Sequence, residues 1–246
     1  MYKRQISDIV SFFSNFQISG LGVGSFGPLI LNSDSTEYGL LVAESKKGWK
    51  GINVIKALSI INSNLVIDTD VNAAAIGEYR YGAGQNSETL VYVTVGTGIG
   101  VGVLLDGKPH VGNFHLEIGH MLIPNSDDFQ GVCEIHGNCW EGLASGPSIE
   151  SNWGIAASEL SNSHEAWEKE ADLLAKGLVN IISNHSPDKI IMGGGVMSQK
   201  HLFPMIQSNV EKLWNNYTPL LLPDLISEPG LGIDSGIIGA LCLISN

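Results

Sequence analysis

Apolar and polar positions repeat along this chain with two different periods. In residues 6–16 (ISDIVSFFSNF), Ile6, Val10 and Phe13 lie near one face with Ile9 and Phe12 beside them, which predicts a short amphipathic helix. Residues 18–23 read as a buried strand, and Ser25-Phe26-Gly27-Pro28 as a turn. Residues 49–61 predict a helix. Residues 64–69 predict a strand that runs straight into Asp70-Val71-Asn72, with an Ala-rich helix over 73–81. Two β-rich runs, 89–95 and 99–105, are joined by Gly96-Thr97-Gly98 and predict a hairpin. Residues 110–147 are loop-rich. Trp167, Ala171, Leu174, Leu178 and Ile181 then form a helical stripe, which predicts a long helix capped by Ser163 and running to about Asn184. Residues 189–192 read as a strand ending in Gly193-Gly194-Gly195. A helix over 202–214 follows, and a glycine-rich passage, 229–239, leads into a final helix. Strands and helices mixed in this order predict an α/β fold.

Composition narrows the function classes. The 246 residues carry a net charge of −12, which argues against a nucleic-acid partner, since that needs a basic face. A hydrophobic content of 43 % excludes a disordered chain. Thirty glycines, with charged residues at only 15 %, point to backbone turns in close contact with something. Three cysteines cannot build a disulfide framework and suit a reduced, cytoplasmic protein. Cys242, alone in an apolar stretch, reads as core. No apolar run reaches the 18 residues of a membrane span, and no charged-then-apolar leader pattern opens the chain, so no membrane association is expected.

The candidate chemistry lies in five places. In VTVGTGIGVG (93–102) the Gly-Thr-Gly turn can aim backbone N–H groups at an anion, with Thr94 and Thr97 adding hydroxyls; a plain glycine-rich hairpin explains it equally. IIMGGGV (190–196) ends a strand in three glycines and fits either the flat face of a nucleotide or a tight turn. Cys133-x-x-His136-x-x-Cys139, with His120 thirteen residues earlier, offers a complete Cys2His2 set for one structural zinc ion. Asp70 ends a strand where a carboxylate can accept a hydroxyl proton, although aspartate is common at strand ends. Glu117, His120 and Glu141 can bond sugar hydroxyls or serve as surface structure.

Together these stretches resemble the ROK family of bacterial sugar kinases, most closely its fructokinase branch. The blocks that carry the likeness are Asp68-Thr-Asp-Val-Asn-Ala-Ala-Ala, Thr94-Val-Gly-Thr-Gly-Ile-Gly, His115-Leu-Glu-Ile-Gly-His with the Cys/His loop, Glu141-Gly-Leu-Ala-Ser-Gly-Pro, and Met192-Gly-Gly-Gly-Val-Met. The resemblance implies an actin-like ATPase (ribonuclease H-like) fold, with two α/β lobes and a cleft between them. Residues 1–72 would then be a remnant of the small lobe. Residues 73–246 would form the large lobe with the zinc loop, the last helix being a candidate to pack back on the small lobe. It implies Asp70 as catalytic base, and Asn72, Glu117, His120 and Glu141 as sugar contacts. Gly96, Thr97 and Gly98 would hold phosphates, and Gly193, Gly194 and Gly195 the adenosine side. His120, Cys133, His136 and Cys139 would bind structural Zn2+, and Mg2+ would accompany ATP. The activity implied is phosphorylation of a hexose, with D-fructose going to fructose 6-phosphate, by a cytoplasmic protein that the likeness suggests is a homodimer.

Two departures qualify the likeness. Full members of the family begin with a strand hairpin carrying Asp-x-Gly-Gly-Thr-Lys, and residues 1–16 match the helix that follows it. The expectation is therefore a small lobe shortened at its N-terminus, Met1 as a false or truncated start, and poor ATP turnover by this stretch alone. Glu134 stands where the family loop has Pro. Alternative readings are a kinase of mannose, glucose or an N-acetylhexosamine, a sugar-sensing repressor, and a catalytically dead sugar-binding subunit.

Overall fold

The strands fall into two sheets, and the helices lie against both. The computed structural model describes residues 2–44, 46, 48–125, 129–219 and 224–245; Met1, the expected false start, lies outside them. Helix α1 (Tyr2–Phe13) leads to strand β1 (Leu21–Ser25), helix α2 (Val54–Leu58) and strand β2 (Leu65–Thr69), which pairs with β1 in parallel. Helix α3 (Asp70–Tyr81) follows β2 without a break. The second sheet has five strands, β3 (Thr89–Val95), β4 (Ile99–Leu105), β5 (Lys108–Pro109), β6 (Lys189–Gly193) and β7 (Ile226–Ser227), in the order β5-β4-β3-β6-β7. β3 pairs with β4 antiparallel and with β6 in parallel. Between β5 and β6 come helices α4 (Trp140–Ala144), α5 (Gly146–Trp153) and α6 (Ala166–His185). Helices α7 (Leu202–Trp214) and α8 (Ser235–Cys242) follow β6 and β7 respectively.

The largest core lies under the five-stranded sheet, where Val91, Val93 and Val101 meet Trp140, Trp167, Leu174 and Leu178. The predicted stripe on α6 faces this core. A smaller core joins Leu29, Leu41, Val54 and Ile67 around the two-stranded sheet. α8 lies between α3 and β1, so close that a Cβ on Gly22 would collide with the Ala240 carbonyl. No helix among the described residues is long and apolar enough to cross a membrane.

The strands at 89–95 and 99–105 and the helix at 202–214 form as expected. The helix expected over 49–61 shrinks to α2. Gly51 takes φ +81°, which a helix cannot continue through, and Asn53 starts the helix afresh by accepting the Lys56 N–H. The strand expected over 18–23 is shifted to Leu21–Ser25. Ser163 does not cap α6. Its hydroxyl faces that of Ser161, and His164 Nδ1 accepts the Ala166 N–H at 3.1 Å instead. The helix expected from 73 begins at Asp70, because Thr69 caps it by accepting the Asn72 N–H at 3.1 Å.

Candidate active site

Asp70 reaches the site as the first residue of α3. β4 lacks side chains where α3 begins: a Cβ on Gly102 would lie 2.7 Å from the Val71 carbonyl oxygen. The close approach brings Asp70 into a cleft of about 560 Å3 that Gly96, Thr97, Gly98, Glu117, His120 and Glu141 also line. Asp70 Oδ1 accepts the Val71 N–H at 2.9 Å. The cleft walls strip water from its carboxyl and raise its pKa, while the bond to Val71 and the charge of Lys46 pull it back.

Asn72 stands apart from this group. It is 5 % exposed, and its amide donates to Asp68 Oδ1 at 2.7 Å. Two residues along a helix from Asp70, its side chain points to a different face. Asp68, raised in pKa by burial, is held by that amide and by the Thr69 N–H.

The Gly96-Thr97-Gly98 turn ends β3. Among the described residues, the Thr97 and Gly98 amides have no protein acceptor, while Gly96 N–H closes the turn on the Gly98 carbonyl at 2.9 Å. Gly146 N–H donates to the Gly96 carbonyl at 2.8 Å, which brings the N-terminus of α5 beside the turn. Free amides and a helix N-terminus together favour an anion. Gly193, Gly194 and Gly195 end the neighbouring parallel strand, with Gly193 in register with Thr94. Gly194 has φ +97° and presses on the Val95 backbone, leaving no room for a side chain. The two glycine turns therefore adjoin at the carboxyl ends of β3 and β6, although 193–195 do not line the cleft itself.

His120 sits between two carboxylates. Its Nε2 is 3.9 Å from Glu117 Oε2 and its Nδ1 is 4.0 Å from Glu141 Oε1. Burial, then the charges of Glu141 and Asp70, push the Glu117 carboxyl up to about 7, with Lys46 opposing. Glu141 also reaches the glycine turn, where its Oε2 accepts the Ile99 N–H at 3.0 Å and occupies the space a Cβ on Gly98 would need.

His120, Cys133, His136 and Cys139 present one ligand atom each, all within 4.8 Å of one another. Cys133 Sγ lies 3.8 Å from His120 Nδ1 and 3.9 Å from His136 Nδ1, and Cys139 Sγ lies 3.5 Å from His120 Nδ1. Bonds of ~2.0–2.3 Å to one tetrahedral ion separate neighbouring ligand atoms by about 3.3–3.8 Å, close to these three separations. The backbone N–H groups of His136 and Gly142 point at the two sulfurs at 3.4 Å, as suits thiolates. Burial pushes the Cys139 thiol up to about 11, a cost that a cation among the four ligands would offset. The Nε2 of His120, turned to Glu117, matches the carboxylate–imidazole support common around such ions.

Three features were not read as parts of the site from the sequence: Lys46, the one lysine among the described lining residues, the wall formed by Phe26, Gly27 and Pro28, and His115, quoted only within a motif, behind Glu117. Lys46 has no motif around it. The Gly-Pro pair was legible only as a turn.

The model of the ROK family matches residues 3–246. The fructokinase of Pediococcus pentosaceus is 37 % identical over 94 % of this chain and 82 % of its own length. That of Zymomonas mobilis is 36 % identical over 98 % of this chain and 81 % of its own length. Among solved structures, the ROK hexokinase of Thermus thermophilus superposes with a TM-score of 0.78 at 20 % identity, covering 97 % of this chain and 84 % of that one. The ROK glucokinase of Streptomyces griseus, in complex with glucose and AMPPNP, gives 0.75 at 20 % identity, covering 97 % and 86 %. The fold is thus the actin-like ATPase architecture that the motifs implied. With its family model matched almost end to end and relatives above 30 % identity, the chain belongs to the ROK family, on its fructokinase branch.

Proposed function

We propose that this ROK-family sugar kinase transfers the γ-phosphoryl group of Mg2+-bound ATP to a hexose, with D-fructose as substrate and its 6-hydroxyl as acceptor. One observation carries the reading: a proton acceptor, Asp70, shares a single cleft with an amide-rich turn, 96–98, and with a cluster of sugar-bonding type, Glu117, His120 and Glu141. The hydroxyl oxygen forms a bond to phosphorus as its proton passes to the Asp70 carboxylate. The β–γ bridging P–O bond breaks, and ADP leaves. A raised pKa makes Asp70 a better acceptor than an ordinary aspartate. The Thr97 and Gly98 amides and the N-terminus of α5 take up charge on the phosphates. Asp70, Glu117, Glu134 and Glu141 line the cleft against one lysine among the described residues, so the triphosphate must enter with its cation.

His120, Cys133, His136 and Cys139 would hold Zn2+, which fixes the loop that presents Glu117 and Glu141. Residues 1–72 act as the small lobe and 73–246 as the large one, and α8 returns to β1. The free thiols among the ligands suit the reducing cytoplasm. Fructose is chosen over other hexoses on the Cys-x-x-His-x-x-Cys loop and on the curated relatives that are named fructokinases. The test is a hexose panel (fructose, mannose, glucose, N-acetylmannosamine) in a coupled ADP assay, using the protein as its cell makes it. Fructose should give the highest kcat/KM, and a higher value for any other sugar replaces it as the substrate.

A further inference from the structure

His115 belongs neither to the metal cluster nor to the lining of the cleft, yet it is 7 % exposed and fully engaged. The Leu29 N–H, from the loop after β1, donates to its Nε2 at 3.1 Å across 86 residues of sequence. A backbone N–H can only donate, so Nε2 carries a lone pair and the ring proton sits on Nδ1. Nδ1 faces the Leu116 carbonyl at 3.3 Å and Glu117 Oε1 at 3.6 Å. The neutral ring agrees with its burial, which lowers its pKa. The loop is pressed against both residues: a Cβ on Gly27 would lie 2.7 Å from His115 Cε1 and 3.3 Å from Glu117 Oε1. Phe114 packs on the imidazole with ring centroids 4.5 Å apart.

We propose that His115 is a positioning residue that ties the 26–29 loop to Glu117, so that an entering hexose meets both walls in one register. The proposal rests on the hexose-kinase reading. The loop supplies Phe26, Gly27 and Pro28 as one wall of the cleft, and Glu117 belongs to the adjoining wall. One neutral imidazole accepts from the first and faces the second with its proton. Neither wall can shift without breaking a buried hydrogen bond or parting the carboxylate from the ring.

The test compares His115→Gln with His115→Asn in the protein as its cell makes it. Gln carries an acceptor out to where Nε2 stands, whereas Asn fills the place of Nδ1 and leaves the Leu29 N–H without a partner. Two readouts are taken: amide hydrogen exchange of the 26–31 segment, and the Kd for D-fructose by calorimetry. His115→Asn should speed exchange and weaken fructose binding by about tenfold each, leave ATP affinity within about twofold, and be rescued by His115→Gln. Unchanged fructose affinity in His115→Asn overturns the proposal, and so does equal loss in both variants alongside a fallen Tm, which marks mere packing. Failure of the hexose reading shows itself separately, as a wild-type protein with no affinity for any hexose, and the proposal falls with it.

Discussion

Glu141 Oε2 accepts the Ile99 N–H at 3.0 Å, 42 residues away in sequence, and this one bond joins the Cys/His loop to the glycine turn. The other oxygen of Glu141 faces His120 at 4.0 Å. A carboxylate on α4 is therefore held by the turn through one oxygen, while the other lies beside the imidazole of the His/Cys cluster. Disturbing it should affect sugar and nucleotide together. Glu141→Ala should raise KM for both, by about tenfold each, because it orphans a backbone donor and loosens the turn. Steady-state kinetics with each substrate varied in turn check this, and a change in the sugar KM alone would confine Glu141 to sugar binding.

Asp70→Asn keeps the shape of the side chain and removes the proton acceptor. Turnover should fall by at least ~10²-fold while fructose affinity stays within about twofold. A mutant that keeps more than a tenth of wild-type kcat means that another group takes the proton.

The pH profile carries the same signature. A base works only when ionised, so kcat/KM should fall on the acid side as Asp70 gains its proton. Because its pKa is raised in the fold, that inflection should lie above the ordinary aspartate value of ~3.9. The sign also bears on stability. A carboxyl whose folded pKa is raised costs stability above that pKa and nothing below the unfolded one. Asp70→Asn should therefore be at least as stable as the wild type at pH 7, and any gain should vanish in acid. Thermal melts across pH measure this, and a destabilised Asp70→Asn at pH 7 would show that the carboxylate is favourably held.

The four-ligand cluster predicts one equivalent of zinc per chain by elemental analysis. Cys133→Ser should lose the metal and lower Tm and fructose affinity together, since the ion organises the loop between Glu117 and Glu141. A metal-free protein of unchanged Tm would remove zinc from the account.

At the junction of α3 and β4, Gly102→Ala should cost about 1–3 kcal/mol, the scale of overpacking, since its Cβ meets the Val71 carbonyl at 2.7 Å. It should also lower kcat by displacing Asp70. Denaturant melts and kinetics on the same sample separate the two effects.

What was legible in the sequence was local. Alternating β-branched residues on either side of Gly96-Thr97-Gly98 announce the hairpin, and the two short gaps in 133–139 announce the His/Cys cluster. Asp70 and Glu141 were found through motifs, but their surroundings were not. That Asn72 turns to Asp68 depends on α3 starting at Asp70, a boundary set by the Thr69 cap and not by the Ala-rich run. That Gly98 is glycine for the sake of Glu141, or that Leu29 leans on His115, depends on pairings 43 and 86 residues apart, which no local pattern encodes. Lys46 enters the cleft by the path of its loop alone.

The most direct test of phosphoryl transfer in this cleft is 31P NMR of the protein as its cell makes it, incubated with Mg·ATP and D-fructose. The account predicts that ATP is converted to ADP while a phosphomonoester resonance grows, its coupling to C6 protons marking fructose 6-phosphate, and that Asp70→Asn abolishes the transfer. Growth of inorganic phosphate alone, or a product unchanged in rate by Asp70→Asn, would contradict it.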